Sequence, residues 1–196
     1  MIAPGTGLGE AFLIRTGARR LECPSEGGHA DFAPTGPLEA DLLGALREAY
    51  DHVSYETVCS GPGLWRIYRF LTLRGVEQEP SWLAERLNAV EDPVPVLVEA
   101  ALKEKAGACV RALSLFCSIL GSEAGNLALK TLATGGVYIG GGIAPRILPF
   151  LEDGAFLAAF RRKGKMADLL FRIPVHVILE PRAPLIGAVD CGRKVR

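Results

Sequence analysis

The sequence predicts a mixed α/β domain with a helical insertion, and three features carry that prediction. Strand-like apolar patterning appears near the start, a long helix-forming block fills the middle, and a strand–helix–strand–helix series closes the chain. At 196 residues the chain is long enough for one domain that buries most of its apolar surface.

The first element is a glycine-rich loop, Pro4-Gly5-Thr6-Gly7-Leu8-Gly9. Alternating glycines let backbone N–H groups converge on an anionic oxygen, so the loop points to a nucleotide. Such a loop is normally held by a strand on each side, and only Met1-Ile2-Ala3 stands before this one. The expectation is therefore an unusual nucleotide-binding domain or a chain whose front half is absent. Glu10 to Arg15 reads as a strand, and a turn at Thr16-Gly17-Ala18 leads to a return strand through Leu21, making a β-hairpin. A glycine loop that opens a strand is not the dinucleotide fingerprint, which must open a helix, and no P-loop signature follows elsewhere.

Leu38, Leu42, Leu46 and Tyr50 share one helical face, with Pro37 suited to the first turn. A second helix follows Gly61-Pro62-Gly63 and carries Leu64, Ile67, Tyr68 and Leu71. The stretch from Gln78 to Pro95 is polar and punctuated by prolines, a surface excursion with a short helix around Trp82 and Leu87. From Val96 to Ala133 the chain is helix-forming, with breaks expected near Gly107, Gly121 and Gly125. Gly136 to Gly140 reads as a buried strand, followed by a helix that Pro145 can start. Helical pieces around Phe156 and Leu169 precede a last strand, Val175 to Leu179.

Composition narrows the function. Lys plus Arg equals 22 and Asp plus Glu equals 22, so no net field draws the chain to nucleic acid. The basic end Gly192-Arg193-Lys194-Val195-Arg196 reads as a solvated terminus. No uncharged apolar run approaches the ~20 residues of a membrane span, and no secretory signal is evident. Cys23, Cys59, Cys109, Cys117 and Cys191 are widely spaced without a pair at metal-ligand spacing, as expected of reduced thiols in a cytoplasmic protein.

Three segments could carry chemistry. In Glu26-Gly27-Gly28-His29, followed by Asp31, two glycines allow a tight exposed turn that aims a carboxylate and an imidazole into one cleft. Carboxylates accept strongly from polyol hydroxyls, and imidazole can donate or accept. The alternative is a solvated surface turn. Glu56 lies in a short helical stretch and by itself is an ordinary glutamate. Gly140-Gly141-Gly142 at a strand end lets something flat or anionic approach the backbone, or simply makes a tight turn. A metal-dependent hydrolase built on Glu26, His29 and Asp31 is a weaker reading, since no second histidine sits at ligand spacing.

Taken together, six ordered segments resemble the bacterial glucokinase family. They are the Pro4–Gly9 loop, Glu26 to Phe32, Glu56 with Ser60-Gly61-Pro62-Gly63-Leu64, Arg111 to Phe116, Gly125 to Leu129, and Gly135 to Arg146. The resemblance covers nearly the whole chain. It implies the ribonuclease-H-like ATPase fold of the actin and hexokinase type, one domain over 1–196, and transfer of the ATP γ-phosphoryl group to the 6-hydroxyl of glucose with Mg2+. It implies that Glu26, His29 and Glu56 hydrogen-bond the sugar. Gly5, Thr6 and Gly7 match the second phosphate loop, and Gly140, Gly141 and Gly142 the adenosine side.

Family members also carry a preceding domain with a first phosphate loop and an Asn-Asp pair whose Asp is the general base. No residue of this sequence matches either, so no catalytic residue is assigned, and a chain inactive alone is expected. A separate N-terminal domain or a homodimer is the partner this leaves open. The alternative is a non-catalytic sugar- or nucleotide-binding protein derived from a kinase. The related ROK branch adds a zinc-binding cysteine cluster that is not matched here, so no metal residue is assigned. The end after Gly187 is expected to fall short of the helix that returns to the missing domain.

Overall fold

The computed structural model describes residues 1–17 and 19–194. The turn residue Ala18 and the tail residues Val195 and Arg196 lie outside the described residues.

The described strands are β1 (Ile2–Pro4), β2 (Leu8–Thr16), β3 (Arg19–Ser25), β4 (Val137–Ile139) and β5 (Val175–Val177). They form one sheet in the order β3-β2-β1-β4-β5. β2 runs antiparallel to β1 and β3, whereas β1, β4 and β5 are mutually parallel neighbours, with Ile2 opposite Ile139 and Ile139 opposite Val177. The hairpin is longer than the alternation suggested because its outer half leaves the body of the protein. Leu8 and Glu10 point inward, while Leu13, Ile14 and Leu21 are exposed. Strand pairing continues through that outer part, from Leu13 opposite Glu22 to Thr16 opposite Arg19.

The helices are α1 (Pro37–Arg47), α2 (Tyr55–Val58), α3 (Gly61–Leu73), α4 (Ser81–Asn88), α5 (Val94–Glu99), α6 (Gly107–Thr131), α7 (Leu148–Glu152), α8 (Ala155–Arg161), α9 (Ala167–Arg172) and α10 (Ala183–Lys194). Leu42 and Leu46 are buried as the α1 spacing requires, but the helix ends at Arg47 and Tyr50 lies beyond it. In α3, Leu64, Ile67, Tyr68 and Leu71 are all buried, and Ser60 caps the first turn by accepting from the Gly63 N–H at 3.1 Å. The short helix expected around Trp82 and Leu87 is α4.

The expected breaks at Gly121 and Gly125 do not occur: α6 runs through both. A Cβ on Gly121 would collide with the Phe156 carbonyl oxygen, and one on Gly125 would lie 2.6 Å from that of Phe160. These glycines therefore let α8 pack directly on α6, which outweighs their propensity cost of ~1 kcal/mol each. The break near Gly107 is real. Lys105 takes a left-handed conformation (φ 55°) after a π-type turn over Ala100–Glu104, and α6 restarts the chain direction. By length and composition α6 could cross a membrane, yet 78% of its most apolar stretch is buried inside the fold, where it forms the central core helix. It packs against Leu64, Tyr68, Phe156 and Phe160, all buried.

The strand expected over Gly136–Gly140 shortens to three residues, with Val137 and Ile139 inward and Tyr138 outward, stacked on His176 at 5.0 Å. Pro145 sits in a short 3-10 turn (Ala144–Ile147) that leads into α7. The chain past Gly187 is helical: α10 continues to Lys194, exposing Leu185, Ile186 and Val189. Cys59, Cys109 and Cys117 are buried free thiols, and Cys191 is exposed.

Candidate functional site

Because β1 and β4 are parallel neighbours, both glycine loops leave the sheet at the same end. The carboxyl ends of parallel strands are where open α/β sheets take ligands. The first loop is closed by the Gly5 N–H donating to the Gly7 carbonyl at 2.8 Å, and is tethered by the Gly61 N–H donating to the Gly5 carbonyl at 2.8 Å. That bond sets the amino end of α3, with its partial positive charge, directly behind the loop. Thr6 is exposed at its tip. In the second loop the Gly140 N–H donates to the Ile2 carbonyl at 2.9 Å. Gly141 has φ +80°, and a Cβ there would collide with the Pro4 carbonyl oxygen. Conformation and space both demand glycine, so the two loops interlock through Pro4. Gly142 faces open space.

A second group of residues gathers around Leu8, which follows the first loop. Glu56 sits on α2, whose first turn is fixed by reciprocal Ser54–Thr57 bonds, including Ser54 N–H to Thr57 Oγ1 at 3.1 Å. Its Oε2 accepts the Leu8 N–H at 2.8 Å. Glu26 begins a 3-10 turn over Gly27–His29, held by the His29 N–H to the Glu26 carbonyl at 3.0 Å and the Ala30 N–H to the Gly27 carbonyl at 2.9 Å. Gly28 is buried against the Leu8 carbonyl, with which a Cβ would collide. The two arms are zipped together just beyond: the Tyr55 N–H donates to the Ala30 carbonyl at 3.0 Å and the Phe32 N–H to the Val53 carbonyl at 2.9 Å. Glu56 thus takes the donor of Leu8, and the Glu26–His29 turn rests on its acceptor. His29 Nε2 stands 4.0 Å from Glu26 Oε2, with both side chains mostly exposed. Asp31, the neighbouring candidate, accepts from or pairs with His52 Nε2 at 2.9 Å, which engages it in a local dyad.

Two acids in this region escaped the sequence reading. Glu10, 7% exposed, lies beneath Gly27 on the inward face of β2, and Glu123, fully buried, lies on α6. Burial, and then the proximity of Glu123, pushes the Glu10 carboxyl up to about 7. Burial also raises Glu123, opposed chiefly by its hydrogen bond from Asn126 Nδ2 at 2.8 Å and the Lys130 ammonium at 3.8 Å. The usable signals were a glutamate in register with Leu8 on a strand, and one at helical spacing from Phe116, Ile119, Leu120 and Leu127.

Strand order, direction and helical covering define a ribonuclease-H-like domain of the sugar-kinase type. A glucokinase structure from an Antarctic psychrotroph superposes with a TM-score of 0.80 at 37% identity, covering 97% of this chain and 56% of that one. A ROK-family glucokinase from Streptomyces griseus, solved with glucose and AMPPNP, shares the fold with a TM-score of 0.65 at 22% identity, covering 98% of this chain and 59% of that one. Residues 1–195 match the family model described as Glucokinase, and the chain belongs to that family. The glucokinase of Nostoc sp. (strain PCC 7120) is 44% identical over 207 residues, covering all of this chain and 60% of the relative. The chain therefore spans little more than half the length of the proteins it matches.

Proposed function

We propose that residues 1–196 form a single domain, the C-terminal large domain of an ATP-dependent glucokinase, contributing the sugar contacts and part of the nucleotide site. The observation that carries the sugar assignment is that both arms engage the backbone of Leu8, Glu56 through its N–H and the Glu26–His29 turn through its carbonyl. In this reading Glu26 and Glu56 accept hydrogen bonds from ring hydroxyls, and His29 supplies a donor or acceptor beside them. Thr6 and Gly7 present backbone N–H groups toward the terminal phosphates, with the amino end of α3 behind them, and Gly5 shapes the loop by bonding its N–H to the Gly7 carbonyl. On the adenosine side, Gly142 faces open space, while Gly140 and Gly141 seat the loop against Ile2 and Pro4.

The transfer itself forms a bond between the sugar O6 and the γ-phosphorus, breaks the bond from that phosphorus to the ADP oxygen, and removes the O6 proton. Catalysis of such a step rests on positioning and charge stabilisation. We assign the proton acceptor to an aspartate of an N-terminal domain of the kind the longer relatives have room for, because Glu26 and Glu56 are committed to other hydroxyls. A homodimer is the other partner consistent with this division. Mg2+ would accompany the ATP phosphates. Among the described residues no three His, Cys, Asp or Glu side chains converge as a metal cage, so no residue here is assigned to it and no step is derived through it. A cytoplasmic setting fits the free buried thiols.

The test is a glucose titration followed by NMR or calorimetry, on the chain alone and with a family N-terminal domain added. Weak binding, on the order of millimolar, is expected for the chain alone and is lost in Glu56→Ala, since a charged hydrogen bond contributes about 1.5–3 kcal/mol. A coupled assay for glucose 6-phosphate should show turnover only with the added domain. Absence of any glucose-dependent signal in the parent chain would sink the sugar assignment. Binding without turnover in every combination would favour the non-catalytic sugar-binding protein.

A further inference from the structure

The buried acids beneath the sugar arms are not used by the chemistry above. The Glu10 carboxyl reaches under the turn so closely that a Cβ on Gly27 would collide with its Oε2, while its Oε1 has no hydrogen-bond partner. Glu123 Oε1 is likewise unpartnered by any hydrogen bond, and its Oε2 is held by Asn126. The same Asn126 amide donates to the Tyr55 hydroxyl at 3.1 Å, and Tyr55 immediately precedes Glu56. One polar cluster therefore touches both arms: Gly27 from below through Glu10, and α2 through Asn126 and Tyr55.

We propose that Glu10 is a positioning residue for the sugar-contacting turn, acting through Gly27 and Gly28 on the placement of His29; this rests on the assignment of that turn to sugar binding. The physical reason is the lack of alternatives around it. The groups facing Glu10 are Glu123 and Lys130 from α6, the Met1 amino group from β1, and the Cys59 thiol at the end of α2. From β3 the residue in register is Ser25, which does not titrate, and whose Oγ already accepts the Gly27 N–H at 3.0 Å. Protonated, Glu10 is a neutral shape that supports the turn. Ionised, it faces a second buried carboxylate with one oxygen unsolvated, and the side it can push against is Gly27, which has no side chain to shield it. The turn cannot yield toward β2, because Gly28 is already in contact with the Leu8 carbonyl.

The test uses two readouts and the isosteric neutral variant Glu10→Gln. In a His29→Gln background, which takes the imidazole out of the turn, the Gly27 and Gly28 amide resonances should move with a midpoint of about 7 and stop moving when Glu10→Gln is added. In the otherwise native chain, glucose affinity should fall about fivefold more between about pH 6 and 9 than it does in Glu10→Gln, the low end of ordinary coupling between sites. Turn amides that do not titrate, or that titrate equally with Gln at position 10, overturn the proposal. So does a pH dependence of glucose affinity that is the same with and without Glu10→Gln. Complete absence of glucose binding at every pH, with the amide transition intact and dependent on Glu10, refutes the sugar assignment instead.

Discussion

Replacing Gly28 by alanine is the sharpest probe of how the turn is seated. Gly28 lies outside the left-handed region, so alanine brings no backbone strain there and the cost is steric alone. The new Cβ would lie closer than 3.0 Å to the Leu8 carbonyl oxygen and 3.2 Å from both the Leu8 carbonyl carbon and Cβ. Leu8 cannot retreat, because it pairs with Pro4 in β1 and its N–H is bound to Glu56. The turn must lift by ~1 Å, and forcing an extra methyl into such a contact costs about 1–3 kcal/mol. For a chain of this size that is a fall of about 2–12 °C in Tm, at about 2–4 °C per kcal/mol. Differential scanning calorimetry measures it, with Gly44→Ala as the control. Gly44 is inside α1 with nothing within 4 Å of an added Cβ. That substitution should raise stability by about 0.5–1 kcal/mol. Gly28→Ala should also weaken glucose binding, since His29 follows Gly28 directly. A Gly28→Ala variant as stable as the parent would show that the turn does not bear on Leu8, and the account of both arms meeting at that residue would fall with it.

Two further outcomes are expected. Folding holds the Glu10 proton more tightly than the unfolded chain does, with the carboxyl raised from 4.5 to about 7 by burial and then by Glu123. This contribution is complete below about pH 4.5 and is lost as pH rises through about 7, at most about 3 kcal/mol for this shift. Urea unfolding at several pH values should therefore show a decline toward neutral pH that is reduced in Glu10→Gln, and parallel curves for the two proteins would refute it. Gly121→Ala should destabilise the chain by ~2 kcal/mol or more despite the better helix propensity of alanine, because the Phe156 carbonyl is backbone and cannot move aside. A stabilised Gly121→Ala variant would mean that α8 does not pack on α6 as described.

Local pattern was enough to read the hairpin, α1, α3, α4 and the closing strand, because apolar spacing, Pro37 and the Ser60-Gly61-Pro62-Gly63 start act within a few residues of themselves. The motif-bearing segments were legible for the same reason: glycines at turns and a carboxylate spaced from an imidazole are local chemistry. What the sequence could not decide was anything that depends on a distant neighbour. Gly121 and Gly125 read as breakers until the Phe156 and Phe160 backbones are placed against them, and then the same missing Cβ becomes room for close helix packing. Glu10 and Glu123, more than a hundred positions apart, carry no local mark of a role until β2 and α6 bring both into one interior where neither can be fully solvated. The seating of Glu56 on the Leu8 N–H and of the Glu26–His29 turn on the Leu8 carbonyl is likewise tertiary. It follows from the pairing of residues 30–32 with 53–55, a contact whose free energy is paid out only once the chain has folded.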